Sequence, residues 1–195
     1  MSWFKRNKEK KPVPPTRVLV SAIGDDSELR TTADSDAEIY SKHYSQVTNK
    51  AVDNADALID LISAEEFDIV HLLARVNADG TVGQTSIKNV IDICAKTNVK
   101  LLFFAHSNLP DTYIQNFKPG RFNLVMTINR KDKYFGGFLD ALLGKLTLGK
   151  TMPTAWVELS PQTEQASEHN SLPECAFVAN LPKHKFLRGD SEVAL

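Results

Sequence analysis

Two stretches decide the fold: Phe67-Asp68-Ile69-Val70-His71-Leu72-Leu73-Ala74-Arg75, and Leu101-Leu102-Phe103-Phe104-Ala105-His106-Ser107. Each is a short apolar run that releases polar groups at its C-terminal end. Runs of this length and composition read as buried strands, and in an open parallel sheet their carboxyl ends meet in one crevice. His71, Arg75, His106 and Ser107 are therefore the first residues to consider for chemistry.

Working outward, Arg17-Val18-Leu19-Val20-Ser21-Ala22-Ile23 is a β-branched run that stops at the turn signal Gly24-Asp25-Asp26, which predicts a first buried strand. Residues 28 to 47 are polar; Ala37, Ile39, Tyr40 and Tyr44 suggest a helix there. Val52, Ala55, Ile59 and Ile62 fall at helical spacing, with Asp53, Asp56 and Asp60 turned away, and this helix leads into the Phe67 strand. After a turn at Asn77-Ala78-Asp79-Gly80, Thr85 or Ser86 is placed to cap a helix whose apolar face is Ile87, Val90, Ile91 and Cys94.

Beyond the strand Val99 to Ala105, a short helical stretch carries Tyr113, Ile114 and Phe117 and breaks at Pro119-Gly120. Phe122 to Ile128 reads as a strand, followed by a helix marked by Phe138, Leu139, Leu142, Leu143 and Leu146 and closed by Gly149. Thr151 caps a further helix with Pro153 in its first turn and Ala155, Trp156 and Leu159 inside. Residues 160 to 172 are loop-like, and Cys175 to Ala179 gives a last strand. Strands alternating with helices predict a single three-layer α/β/α domain with a mostly parallel sheet, over 16–187. A basic, proline-rich tail, expected to be disordered, precedes it (1–15) and a short tail follows (188–195).

With 195 residues and 42% hydrophobic content the chain suffices for one substantial core. A formal net charge of -1 supplies no general attraction to nucleic acid or anionic membranes. Two cysteines, Cys94 and Cys175, are too few for a disulfide scaffold and fit a reducing, cytoplasmic compartment. No apolar stretch reaches the roughly 20 residues that cross a bilayer. The N-terminus lacks the apolar core of a secretory signal; Trp3 and Phe4 beside its basic residues offer at most a weak membrane or partner contact.

The order and spacing of these phrases resemble the caspase-like CHAT domain of the caspase-type cysteine peptidases, over roughly residues 48 to 180. In that family a strand ends His-x-x-x-His, the second histidine being the catalytic base. Here His71 matches the first, and Arg75 stands in the place of the second. The next family strand ends with a small residue and the nucleophilic cysteine; here Ala105 matches and His106 replaces the thiol. Leu146, Gly149, Thr151 and Ala155 are similar to a closing L-x-x-G-x-s-x-x-x-A phrase. Pro173-Glu174-Cys175-Ala176-Phe177-Val178 is similar to the final Pro-x-x-Trp-Ala-x-Phe strand, with Cys175 in place of the aromatic.

The resemblance implies a caspase-like fold without its dyad, since an arginine stays protonated and cannot act as base. The expected role is that of a catalytically inactive, regulatory or scaffold subunit that binds a protein, with no cofactor and no metal. The vestigial pocket comprises His71, Arg75, His106 and Ser107; Arg75, Asp25, Asp26 and Asn108 are the binding candidates. Other readings use the same residues. One is a hydrolase with a re-invented site pairing His71 with Ser107. Another is a metal site drawing His71 and His106 together with Asp25 or Asp26. A third is a small-anion sensor clamped by Arg75. Asp25-Asp26 and Lys131 or Lys133 are also similar to the acidic pair and lysine of receiver domains, but the strand Ile69 to Leu73 has no acceptor aspartate. Arg130-Lys131-Asp132-Lys133 reads as a solvated loop, and Gly136-Gly137 as the opening of a helix.

Overall fold

Burial on both faces is what the apolar strands demand, and the computed structural model supplies it; it describes residues 15–109, 111, 122–160 and 172–179. The elements run β1 (Arg17–Ala22), α1 (Ser27–His43), β2 (Gln46–Asn49), α2 (Ala55–Ala64), β3 (Ile69–Leu73), the two-residue strands β4 (Thr81–Val82) and β5 (Thr85–Ser86), α3 (Ile87–Lys96), β6 (Leu101–Phe104), β7 (Asn123–Asn129), α4 (Asp132–Thr147), α5 (Met152–Leu159) and β8 (Glu174–Val178). The main sheet has the order β2-β1-β3-β6-β7-β8, parallel throughout except for the antiparallel edge strand β8. The stretch with Tyr113, Ile114 and Phe117, its break at Pro119-Gly120, and nearly all of the 160–172 loop and the two tails lie outside the described residues.

Strand alternation divides the core into two layers. Leu19, Val70, Leu72, Leu102, Phe104 and Leu124 face α2 and α3. Val18, Val20, Ile69, Leu73, Phe103 and Val125 face α1, α4 and α5. The molecule is thus an α/β/α sandwich. The helices start where side chains can satisfy their first N–H groups: Asp26 caps α1, Asn54 caps α2, Ser86 caps α3 and Thr151 caps α5.

Several local expectations shift. Tyr44 is the residue that ends α1, and the polar stretch after it adds the unforeseen edge strand β2. Val52 precedes α2 and bridges to Ile23; the buried face of α2 is Ala55, Leu58, Leu61 and Ile62, with Ile59 to its side. The segment after Gly80 forms the small antiparallel β4–β5 hairpin. Helix α4 begins at Asp132, so Gly136 and Gly137 lie within it instead of opening it. At Gly136 an added Cβ would lie 3.4 Å from Ile39 Cδ1 of α1, so this glycine lets two helices approach closely.

Candidate functional site

After β1 the chain passes α1 to reach β2 on one side, then crosses α2 on the opposite face to reach β3 on the other side of β1. This reversal between β1 and β3 is a topological switch point, where open α/β sheets leave a crevice at the strands' carboxyl ends. A cleft of about 180 Å³ lies there. Its floor is Ile23 and Gly24, its walls carry Asp25, Asp26 and Arg75, and Val82 of the β4–β5 hairpin closes one side. Gly24 sits at φ 94°, a conformation that L side chains rarely adopt, and so turns the chain sharply from β1 into the cap of α1.

Arg75 spans the mouth of this crevice. Its Nε donates to Asp26 Oδ2 at 2.9 Å and its Nη2 to Glu28 Oε2 at 2.9 Å. The Arg75 hydrogen bond, assisted by the Glu28 and Leu29 backbone N–H groups, holds the partly exposed Asp26 carboxyl below its ordinary range. The guanidinium expected to stand as a vestige of the base thus ties the end of β3 to the first turn of α1. Asp25 and Asp53 are exposed at the same cleft.

His71 takes a different place from the pocket sketched by the sequence. Alternation along β3 sends it into the α1/α4 layer, where it is 0% exposed. Its Nε2 lies 2.7 Å from Asp36 Oδ2 and its Nδ1 3.1 Å from Tyr40 Oη. Arg130 Nη2 donates to both oxygens of Asp36, at 2.8 and 3.0 Å, and its Nη1 donates to the Ala105 carbonyl at 2.7 Å. The guanidinium lies 3.6 Å above the Phe135 ring. Asp132 Oδ1 lies 2.8 Å from Arg130 Nε as an ion pair, but not in the direction of the N–H, which makes no hydrogen bond.

The charge states follow from this geometry. Burial would raise the Asp36 carboxyl, but His71 and Arg130 outweigh it and hold the group ionised, below its ordinary value. Burial dominates at His71 and lowers its proton affinity, against the pull of Asp36 and with the push of Arg130. Burial also raises Tyr40 well above the ordinary phenol value, so its hydroxyl is a proton donor. The consistent arrangement is a neutral imidazole: Nε2–H donates to Asp36 and Nδ1 accepts from Tyr40, an assignment made from the hydrogen-bond network. Asp36 and Arg130 then cancel, and the cluster carries no net charge.

At the rim, Ser107 Oγ accepts from the Arg130 backbone N–H at 2.9 Å. Asn108 joins the ends of two strands: its Oδ1 accepts from Val76 N–H at 2.8 Å, and its Nδ2 donates to the carbonyls of Ala74 and His106 at 3.2 and 3.0 Å. His106 is half-buried, and burial, then the charges of Arg75 and Arg130, lower its proton affinity. The structure therefore brings His106, Ser107 and Asn108 to the rim with Arg75, but places His71 beneath it. Among the described residues no three His, Cys, Asp or Glu side chains are grouped to hold a metal ion, so the suggested meeting of His71 and His106 with Asp25 or Asp26 does not form.

Neither thiol stands at the crevice. Cys94 is buried on α3, its thiol pushed up to about 12 by burial. Cys175 lies on β8, where burial pushes it up to about 11 while its Sγ contacts Thr127 Oγ1 at 3.5 Å. Lys131 pairs with Glu174 at 3.1 Å, away from Asp25 and Asp26.

Sequence reasoning missed Asp36, Tyr40 and Arg130 as a unit. Arg130 sits in a charged run that reads as solvated, yet it is only 5% exposed. The available signal was its position directly after a buried strand, with a helical aspartate and a strand histidine needing partners. No family model matches the chain, and no curated protein matches its sequence.

Proposed function

We propose that this is a caspase-like, CHAT-type domain whose peptidase positions have been refilled, and that it acts in the cytoplasm as a regulatory or scaffold subunit by binding another protein. The observation that carries this reading is that Arg75, at the position of the base, and His71, at the matching first histidine, are both already engaged in structural contacts. Arg75 is held by Asp26 and Glu28, and His71 is sealed against Asp36 and Tyr40. A nucleophile and base must lie within hydrogen-bond reach of each other and of substrate. The weakly acidic thiols of Cys94 and Cys175, neither of which lines the switch-point cleft, support the same conclusion. A hydrolase pairing His71 with Ser107 is disfavoured by the sealed imidazole, and an anion clamp by the two carboxylates that already offset the Arg75 charge.

The switch-point cleft is the surface offered to a partner, with Asp25 and Asp53 exposed beside the Arg75 bridge. The test is affinity purification of the full chain from its own cells, followed by mass spectrometry, for the native protein and for a double Asp25→Lys, Asp53→Lys variant. The reading expects a stoichiometric protein companion that the variant loses. A companion-free monomer that cleaves peptides, with cleavage abolished by Ser107→Ala, would overturn it.

A further inference from the structure

The buried cluster is more than a filled hole, because it connects four separate parts of the chain. Asp36 and Tyr40 come from α1, His71 from β3, and Arg130 from the turn between β7 and α4. Through Arg130 the cluster also holds the Ala105 carbonyl at the end of β6. The same residue's backbone N–H holds Ser107. The Arg130 guanidinium, whose position depends on Asp36, thus ties the start of the rim that carries His106 and Ser107 to the buried cluster, alongside the backbone bonds of Ala105 and Asn108 to Leu72 and Thr127 and the Asn108 side chain.

We propose that Tyr40, His71, Asp36 and Arg130 form a proton-operated clamp, which holds the Ala105–Asn108 rim while His71 is neutral and loosens it when His71 takes up a proton. The proton has one place to go, the Nδ1 lone pair that now accepts from Tyr40. Once protonated, Nδ1–H must donate to Tyr40 Oη, and the Tyr40 hydroxyl proton loses its acceptor. The cluster gains a net positive charge away from water, with Asp36 shared between two full cations. Opening the rim lets Arg130 reach solvent and relieves that charge.

Among the described residues, nothing else packed against the imidazole offsets the added charge. β6 and α4 present only the rings of Phe103 and Phe135, at centroid distances of 5.1 and 6.3 Å. The paired position on β1 is Val20. Tyr44 stands one ring further along α1, 6.4 Å from Tyr40. Asp132 faces Arg130 from the solvent side and is available to it in the opened state. The inference stands on this geometry and does not depend on the binding role.

The experiment is native-state amide hydrogen exchange between pH 7.5 and 5.0, corrected for intrinsic rates. It follows the Ala105, Asn108 and Arg130 amides, which are bonded to Leu72 O, Thr127 O and Ser107 Oγ, and the β1 amides as reference. The clamp predicts that the three rim amides open more readily than β1. Their opening constant rises by up to about tenfold per pH unit below the ordinary imidazole value, as one proton requires. His71→Gln, which keeps a donor for Asp36 and cannot titrate, flattens that dependence. Imidazole 15N shifts of the native protein provide a second readout: the ring titrates in step with rim opening. Rim and β1 amides sharing one opening constant at every pH would overturn the clamp. So would rim opening that is independent of pH or unlinked to the ring's titration, or an unchanged pH dependence in the Gln variant.

Discussion

Replacing Asp36 by asparagine tests how the charges inside the domain are balanced. The carboxylate is 2% exposed as a side chain and accepts three hydrogen bonds, one from His71 and two from Arg130. Asparagine preserves the shape and one acceptor oxygen but removes the negative charge. Arg130, 6% exposed as a side chain, then has at most one neutral amide oxygen in place of the carboxylate, beside the Ala105 carbonyl, the Phe135 face and the outlying Asp132. Breaking a buried pair by removing one partner costs about 3–5 kcal/mol, a large share of the 5–15 kcal/mol typical of a domain.

Arg130→Met produces the complementary defect, an ionised Asp36 whose remaining partner is the neutral His71. Here the imidazole can take a proton and supply the missing charge, so the variant is less impaired at pH 6 than at pH 8. The double variant Asp36→Asn, Arg130→Met buries neither charge, and its loss falls short of the sum of the single losses by about 2 kcal/mol or more, within the range of coupled pairs. Urea unfolding at pH 7.5, followed by far-ultraviolet circular dichroism, measures all three. Single variants that cost under about 1 kcal/mol, or costs that simply add, would refute the reasoning about a compensated buried charge.

Global stability should depend on pH in two separate windows. Burial lowers His71 in the folded state, so the unfolded chain takes the proton first; stability is level above about pH 6.5 and falls with acid by at most about 1.4 kcal/mol per pH unit from this residue. Asp36 is held below its ordinary value of 3.8, so its contribution is present above that pH and is lost as the pH falls through the lower folded value; urea midpoints from pH 8 to 3 resolve the two. Native Cys94 should react with a disulfide reagent at pH 8 only as fast as the domain unfolds, because its thiol is buried and weakly acidic; rapid labelling would contradict its placement. Gly149→Ala, at φ 82° after α4, should cost about 1 kcal/mol or more, while Gly137→Ala inside α4, with open space around it, should stabilise by roughly 0.5–1 kcal/mol; equal urea midpoints would show that the helix boundary is misplaced.

The layered sheet was legible because its signals are periodic and local. The apolar runs of β1, β3, β6 and β7, the Ile87–Cys94 face and the Thr151 cap all state their role within a few residues. β2 was not legible, since Gln46–Asn49 is polar and short and becomes a strand only by pairing with β1. The hairpin after Gly80 is similarly brief. The rim was readable in part: Arg75, His106, Ser107 and Asn108 do follow strand ends, as the crevice argument required. His71 misled because strand alternation assigns it a face, but not which face carries a covering helix with Asp36 and Tyr40. That pairing spans 35 residues of separation, and the Asp36–Arg130 pairing spans 94, so neither has a sequence spacing to betray it.

The central proposal is that Arg75 and His106 serve architecture and binding in place of covalent chemistry. Its most direct test is intact-mass analysis of the native protein after incubation with peptidyl electrophiles that trap serine and cysteine nucleophiles. The account predicts an unchanged mass under conditions where an active cysteine peptidase is fully labelled. A stoichiometric adduct mapped to Ser107 or His106, suppressed by His71→Gln, would contradict it.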